Sequence, residues 1–224
     1  MFGERPTFYR KTLGVVAIAV AIASATAVWL QIADLVGQNA FVWAEYFAYF
    51  TIVTTILNII ALLFGGFSSL SSERDTTLRT VVRHSLVTYA LVSAGVYNLL
   101  LRDSVAGSDS YATVDSWPMQ LFHTYVPAYL LLDWLINPYR RKTPWSSMAL
   151  VFLLPALWLG LALYRGQATG WYPYQFLNPL AEAGWPGVTQ YVAVIATAIA
   201  LIHLLLLGTN RLLHRNSNRQ PVRV

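Results

Sequence analysis

Three polar side chains on separate apolar segments carry the chemistry needed for acyl transfer. Thr51 supplies a hydroxyl, His123 an imidazole and Asn98 an amide. Thr51 follows Tyr46 by five residues and His123 follows Pro118 by five, so at the helical rise both lie roughly 7–8 Å inside one boundary. Asn98, near the end of the segment between them, falls at a similar depth. We predict a threonine nucleophile and a histidine base, with an amide that orients the ring or holds the oxyanion.

Thr51 also begins a polar stripe on its segment. Thr54, Thr55 and Asn58 follow it at i+3, i+4 and i+7, the spacing of one helix face. Threonines in membrane helices usually bond the carbonyl four residues earlier or pack where helices approach closely. Thr54 and Thr55 are therefore either structural or rival hydroxyls. If the stripe is functional, we expect it to line a polar cavity between the second, third and fourth segments.

Asp133 shares a segment with the predicted base but does not complete a triad with it. It follows His123 by ten residues, which in a regular helix is about 15 Å along the axis and some 80° around it. We expect either a supporting role or an ion pair with a nearby cation such as Arg140 or Arg141. Pro127 matters more locally, because it removes the amide that would otherwise bond the carbonyl of His123.

Five further residues are candidates for substrate binding. Arg102 and Arg165 end segments on the same side and can hold a substrate carboxylate, although a cation is favourable at any helix C-terminus. Gln120 is a second polar group on the segment of His123. Tyr172 and Tyr174 lie in the 166–186 connection, which we predict to cover the pocket as a lid. The same aromatic residues also fit an interfacial belt.

The composition indicates that these residues lie in a membrane. Of 224 residues, 56% are hydrophobic and 11% charged, whereas soluble domains carry about 25% charged residues. A helix needs roughly 20 apolar residues to cross the hydrocarbon layer. Six segments meet this requirement, which predicts one all-α polytopic membrane domain over residues 1–224: 13–35, 46–66, 80–101, 118–136, 146–165 and 187–208. The first is predicted to be a true span, because its apolar run continues through AVWLQI beyond any cleavage signal.

The basic residues orient this predicted domain. Thirteen of the fifteen lysines and arginines lie on one side of the six spans, which predicts that both termini and the basic tail 209–224 are cytoplasmic. The net charge of +5 follows from this asymmetry, so we predict membrane lipids as partners and no nucleic acid. Thirteen arginines against two lysines favour a GC-rich bacterial genome, and hence a bacterial cytoplasmic membrane.

The histidines and the absence of cysteine bear on cofactors. With no cysteine, thiol catalysis and cysteine-ligated metals are excluded. No two ligand residues share an i, i+3 or i+4 face, so no metal site or other cofactor is predicted. His84 and His203 lie toward the cytoplasmic side and could form one axial pair. That pair leaves a haem-binding electron carrier as a third hypothesis.

Three short motifs resemble a known family. They are YFT at 49–51, the H-x9-D pattern from His123 to Asp133, and TGWYPYQFL at 169–177. Together they resemble the androgen-induced protein and androgen-dependent TFPI-regulating protein family, especially its short bacterial relatives, over nearly the whole chain. The resemblance implies an intramembrane threonine hydrolase, since animal members cleave fatty-acid esters of hydroxy fatty acids. By position it implies Thr51 as nucleophile and His123 as base. It also puts Asp133 where animal members carry glutamate.

The leading hypothesis is therefore a membrane esterase that acts, without a cofactor, on lipid-like esters entering from the bilayer. The alternative is a non-enzymatic protein that binds or transports a lipid or a small solute in the same polar interior. A continuous water path from the cavity to both faces would favour transport. The sequence leaves the oligomeric state open.

Overall fold

A computed structural model of the chain describes residues 7–71, 75–102 and 117–217, with side chains through residue 213. These residues form helices and connections, with no strand among them. The predicted connection 102–117 lies largely outside the described residues. The helices in chain order are α1 (Phe8–Gly37), α2 (Trp43–Tyr46), α3 (Phe50–Ser71), α4 (Thr77–Val96), α5 (Trp117–Gln120, the π-helical turn Leu121–Tyr125 and Val126–Ile136), α6 (Ser147–Leu150), α7 (Leu153–Thr169) and α8 (Gly184–Ser217). A second π-helical turn, Tyr97–Leu101, extends α4, and a 3-10 turn, Gln175–Leu177, precedes α8.

Five helices in the described part of the chain are long and apolar enough to cross a membrane, which indicates a multi-pass membrane protein. They are Phe8–Gly37, Phe50–Ser71, Thr77–Leu101, Ser147–Thr169 and Gly184–Leu213. Each contains or largely overlaps one of the predicted spans. The remaining predicted span, 118–136, is helical as α5 but is not among the five, and it carries polar side chains at Gln120, His123 and Asp133. Helix α8 continues to Ser217, so part of the predicted tail 209–224 is helical.

Helices α1 and α3 pack closely because glycines face each other across the pair. A Cβ atom on Gly14 would lie 2.8 Å from the Gly66 carbonyl oxygen, and one on Gly66 would lie 2.7 Å from the Gly14 carbonyl oxygen. No larger residue fits at either position without separating the backbones. Small residues at the interface allow membrane helices this close approach. The start of α1 is fixed by Thr7, whose hydroxyl accepts the Arg10 amide.

Helix α4 occupies the middle of the bundle and contacts α3, α5 and α8. Half of its most apolar window is buried, the largest share among the five candidate spans. Val87 and Ala90 of α4 pack into a core with Leu130 and Trp134 of α5 and Leu206 of α8. The helix therefore holds α3 and α5, which carry Thr51 and His123, in a fixed relation.

One end of the bundle is held by ion pairs, and we call it the charged end. The Asp75 carboxylate lies 2.8 Å from an Arg10 guanidinium nitrogen, 3.2 Å from one of Arg79 and 3.7 Å from one of Arg83. Arg83 also pairs with Asp133. The ion pair predicted for Asp133 therefore forms with Arg83 of α4 rather than with Arg140 or Arg141, because the neighbouring helix presents its guanidinium directly to α5.

His84 and His203 meet in the interior, but not as a haem-binding pair. Their rings stack with centroids 3.9 Å apart and planes 15° apart. The two nitrogens of His203 lie 3.0 Å from the hydroxyls of Thr88 and Ser147. Axial ligands must point nitrogens at one iron from opposite faces of a macrocycle, and stacked rings leave no space for it. The geometry excludes that arrangement for this pair.

Candidate active site

The Thr51 hydroxyl faces the His123 imidazole. Thr51 Oγ1 lies 3.4 Å from His123 Nε2, and His123 Nδ1 lies 3.1 Å from the Met119 carbonyl oxygen. A carbonyl oxygen can only accept a hydrogen bond, so Nδ1 must carry the proton. The lone pair of Nε2 then points toward the hydroxyl. This is the tautomer that a general base needs, and a backbone carbonyl takes the place of the usual orienting carboxylate.

Local distortions of two helices shape the surroundings of His123. The ring lies within the π-helical turn Leu121–Tyr125 of α5 and is 5% exposed. Tyr97, which begins the π-helical turn of α4, stacks on it with centroids 4.0 Å apart and planes 18° apart. Such π-helical turns are frequent at functional sites, because they displace side chains from the regular helical register. Stacking and the Nδ1 hydrogen bond together fix the ring.

Asn98 comes to the predicted depth but contacts the backbone rather than the ring. Its Nδ2 lies 2.9 Å from the Ala94 carbonyl oxygen and donates at 3.4 Å to the carbonyl oxygen of His123. That carbonyl has no regular helical partner, because Pro127 four residues later has no N–H. Asn98 therefore satisfies the acceptor that the proline leaves open, and it ties α4 to α5 beside the candidate base.

Ser93 is a site residue that the sequence analysis missed. Its Oγ lies 2.8 Å from Thr51 Oγ1, closer than His123 does. When Ser93 donates this hydrogen bond, the Thr51 proton is free to point at His123 Nε2. The sequence feature that could have pointed to Ser93 is its spacing. Ser93 precedes Tyr97, the residue that stacks on His123, by four residues and shares a helix face with it. A single serine in an apolar helix gave no other indication.

Tyr174 brings the predicted lid to the candidate nucleophile. The phenol interacts with the Thr51 side chain, and it lies in the connection between α7 and α8. Burial raises the pKa of Tyr174, and the contact with Thr51 offsets only part of that rise. The phenol is therefore protonated at neutral pH. Tyr172 is also buried, and its ring packs against Gly166 of α7, where any side chain would collide with it.

Two cavities meet at Thr51 and His123. The narrow cavity, of about 220 Å³, lies between α4, α7 and α8, and its wall is almost entirely apolar. The wide cavity, of about 840 Å³, lies under the 170–187 segment and has many polar residues in its wall. Both cavities are lined by the same six residues at their junction: Thr51, Tyr97, Leu101, His123, Tyr174 and Phe176. Tyr172 and Tyr174 line the wide cavity, where the lid was predicted to cover the pocket.

The other residues of the polar stripe, Thr54, Thr55 and Asn58, are buried in the bundle away from the cavities. Thr54 is 2% exposed and donates to the carbonyl oxygens of Phe50 and Thr51. Thr55 and Asn58 are buried, and neither lines either cavity. The expectation that the stripe lines the pocket is therefore wrong except at Thr51. The pocket also extends beyond the predicted second, third and fourth segments, because α7, α8 and the lid supply most of its wall.

The structure separates other predicted binding residues from the two cavities. Arg165 donates to the Ala44 carbonyl, and its guanidinium lies 4.4 Å from the centre of the Trp171 ring. Gln120 is exposed and lines neither cavity. Arg102 is exposed and directly follows Leu101 at the junction of the cavities. Asp133 lies at the charged end, away from His123.

The arrangement provides a hydroxyl, a correctly protonated imidazole, two neighbouring hydroxyl donors and space for a substrate. Within residues 7–71, 75–102 and 117–217, no group of three or more histidine or acidic side chains is placed to hold a metal ion. No protein-family model, curated protein or solved structure matches this chain.

Proposed function

We propose that this protein is an intramembrane esterase in which Thr51 is the nucleophile and His123 the general base. The observation that carries the proposal is the contact between Thr51 Oγ1 and His123 Nε2, with Nδ1 held by the Met119 carbonyl, at the junction of two cavities. The 3.4 Å separation is slightly longer than a working proton-transfer distance, as is common before substrate binds. A small rotation about the threonine side chain closes it.

The proposed reaction has two steps. Thr51 Oγ1 attacks the ester carbonyl while its proton passes to His123, which then protonates the departing alcohol as the carbon–oxygen bond breaks. A water molecule next attacks the acyl-threonine while His123 takes its proton, and His123 returns that proton to Thr51 Oγ1 as the acyl–oxygen bond breaks and the acid leaves. The hydroxyls of Ser93 and Tyr174 lie beside Thr51, where they can donate to the oxyanion of each tetrahedral intermediate.

We also propose the membrane arrangement that the sequence predicts. Helix α5 serves as a sixth span, because its polar residues are supported from within the bundle: His123 by Met119, and Asp133 by Arg83. The charged end faces the cytoplasm of a bacterial cell, which leaves both termini inside and the junction of the cavities toward the outer leaflet. The substrate is a lipid-like ester. The resemblance to the androgen-induced protein family favours fatty-acid esters of hydroxy fatty acids.

The alternative function is binding or transport of a lipid or a small solute. The wide cavity, at about 840 Å³, is large enough for such a ligand. Transport requires access to both faces, yet the walls of the two cavities include neither Arg83 nor Asp133 at the charged end. Between them lie the stacked histidines His84 and His203, both buried, and the buried Trp134. That these two cavities do not include the ion-paired residues of the charged end supports the esterase over a transporter.

The test is hydrolysis by the purified full chain in detergent, using a fatty-acid ester of a hydroxy fatty acid and p-nitrophenyl octanoate. Thr51→Ala should abolish turnover, and His123→Ala should lower kcat by about 10²- to 10⁴-fold, the usual contribution of a general base. Thr54→Ala is the matched control, because it removes the same hydroxyl one turn further along α3, outside both cavities. Wild-type activity that survives Thr51→Ala would refute the proposal. Complete inactivity of a folded wild-type protein on every ester would favour the binding protein.

A further inference from the structure

The wall of the narrow cavity is almost entirely apolar, whereas the wide cavity adds amide and carboxylate groups to an apolar wall, so the two cavities suit different parts of a substrate. If the protein is the proposed esterase, this difference bears on which ester the site accepts. An ester carbonyl placed at Thr51 has two arms, the acyl chain and the alcohol. Because the cavities meet at Thr51, one arm enters each cavity.

The narrow cavity suits an aliphatic chain. Beyond the junction its wall includes Val92, Phe152, Pro155, Ile195, Ala196 and Ile199. Ser93 is the polar side chain nearest the junction, and the indole N–H of Trp158 is already bonded to the Ala48 carbonyl. The cavity measures about 220 Å³, and since a methylene occupies a volume similar to the ~30 Å³ share of one water, it holds roughly seven carbons.

The wide cavity suits a polar group without negative charge. Its wall includes amides and carboxylates from three separate regions of the chain: Gln31, Glu45, Gln175, Asn178 and Glu182. Tyrosine and tryptophan rings lie among them. Among the described residues that line this cavity there is no lysine or arginine, and the nearby Arg165 points to the Ala44 carbonyl. Hydrogen-bond acceptors between aromatic rings bind hydroxyl groups well. An anion would meet the Glu182 carboxylate there and no lysine or arginine among the described wall residues.

The order of the two reaction steps decides which cavity holds the acyl chain and which holds the alcohol. After the first step the alcohol must leave and water must reach the acyl-threonine. Water and a polar alcohol can both travel through the wide cavity, while the apolar cavity keeps the covalently bound chain in place. The acyl chain therefore belongs in the narrow cavity and the alcohol in the wide one.

We propose that the substrate is an ester of a medium-length acyl chain with a neutral polyhydroxylated alcohol, such as a glycerol or sugar ester. The acyl chain occupies the cavity between α4, α7 and α8, and the polyol occupies the cavity beneath the 170–187 segment. A hydroxy fatty acid would instead bring its carboxylate to a wall that holds Glu182 and, among the described residues, no lysine or arginine. The wall charge thus selects against the ester class that the family resemblance suggests.

The test measures kcat/KM for monoacylglycerols of four to sixteen acyl carbons, using the full chain in detergent. We expect an optimum near eight carbons, and turnover of octanoylglycerol at least tenfold faster than that of an octanoyl ester of a hydroxy fatty acid. Ala196→Leu adds three carbon atoms to the wall of the narrow cavity, so it should shorten the preferred chain by about three carbons. Ala181→Leu makes the same change in the wide cavity, so it should lower kcat/KM for larger polyols without moving the acyl optimum.

Ala193→Leu is the matched control, because residue 193 is exposed on the same helix and lines neither cavity. It should behave as wild type. Thr51-dependent turnover with no change of chain preference in Ala196→Leu would overturn the assignment of the arms and leave the esterase intact. A preference for the carboxylate-bearing ester would overturn the polyol assignment. Absence of turnover on every ester, with no labelling of Thr51 by octyl fluorophosphonate, would overturn both proposals.

Discussion

Substitution of Asp133 distinguishes a structural role of this residue from a role in the chemistry. Its carboxylate is 7% exposed and pairs with Arg83, which is 16% exposed and has a second acidic neighbour, Asp75, at 3.7 Å. Two unit charges about 4 Å apart interact by ~4 kcal/mol at the effective dielectric constant typical of proteins. Removing one partner of a buried pair costs about 3–5 kcal/mol, because the other charge is left without compensation. Since Arg83 keeps Asp75, we expect Asp133→Asn to cost ~3 kcal/mol.

For a chain of this length ~3 kcal/mol corresponds to a fall of about 6–12 °C in the unfolding temperature. The fall can be measured in detergent by tryptophan fluorescence, since Trp134 is fully buried beside Asp133. Adding Arg83→Met to Asp133→Asn removes the cation that has lost one of its two acidic partners, while Asp75 keeps Arg10 and Arg79, so it should restore at least half of the loss. Because Asp133 lies at the charged end, kcat/KM at 20 °C should change less than about threefold. A tenfold loss of activity without a change in unfolding temperature would refute this reasoning and make Asp133 part of the chemistry.

Two further changes test how the lid and the base are supported. Gly166→Ala places a methyl group against the Tyr172 ring, so we expect a loss of about 1–3 kcal/mol in unfolding free energy, the usual range for overpacking, and a raised KM as the lid shifts. Asn98→Ala leaves the His123 carbonyl without its donor, which should cost about 1 kcal/mol. Pro127→Ala should recover that loss in the double variant, because the new backbone N–H can bond the same carbonyl.

Both changes have internal controls. Gly160→Ala, on the same helix as Gly166, adds a methyl group with no atom within 4 Å, so it should be neutral or stabilising by up to about 1 kcal/mol. An equal loss in both glycine variants would show that α7 itself, and not the lid contact, is sensitive. If Pro127→Ala worsens Asn98→Ala, the amide does not act through the His123 carbonyl.

Much of the fold could be predicted because hydrophobic length depends only on local sequence. An apolar run of about 20 residues has few options other than a helix that spans a membrane. The predicted spans at 13–35, 46–66, 80–101, 146–165 and 187–208 each lie within or largely overlap a helix long and apolar enough to cross. The predicted ends of the spans were less accurate than their positions, since α1 begins at Phe8 and α8 continues to Ser217. Thr7 caps the start of α1, and hydropathy does not register such a cap.

The sequence by itself also brought Thr51, His123 and Asn98 to one depth, because helical rise converts residue number directly into distance along the axis. It could not decide what each group touches. That depends on helix rotation and neighbours: Thr54 turns to its own backbone, Asn98 to a carbonyl freed by Pro127, and Asp133 to Arg83. Only the tertiary structure brought Ser93 beside Thr51 and left two cavities of different polarity at the hydroxyl, because both result from how side chains of separate helices fill space.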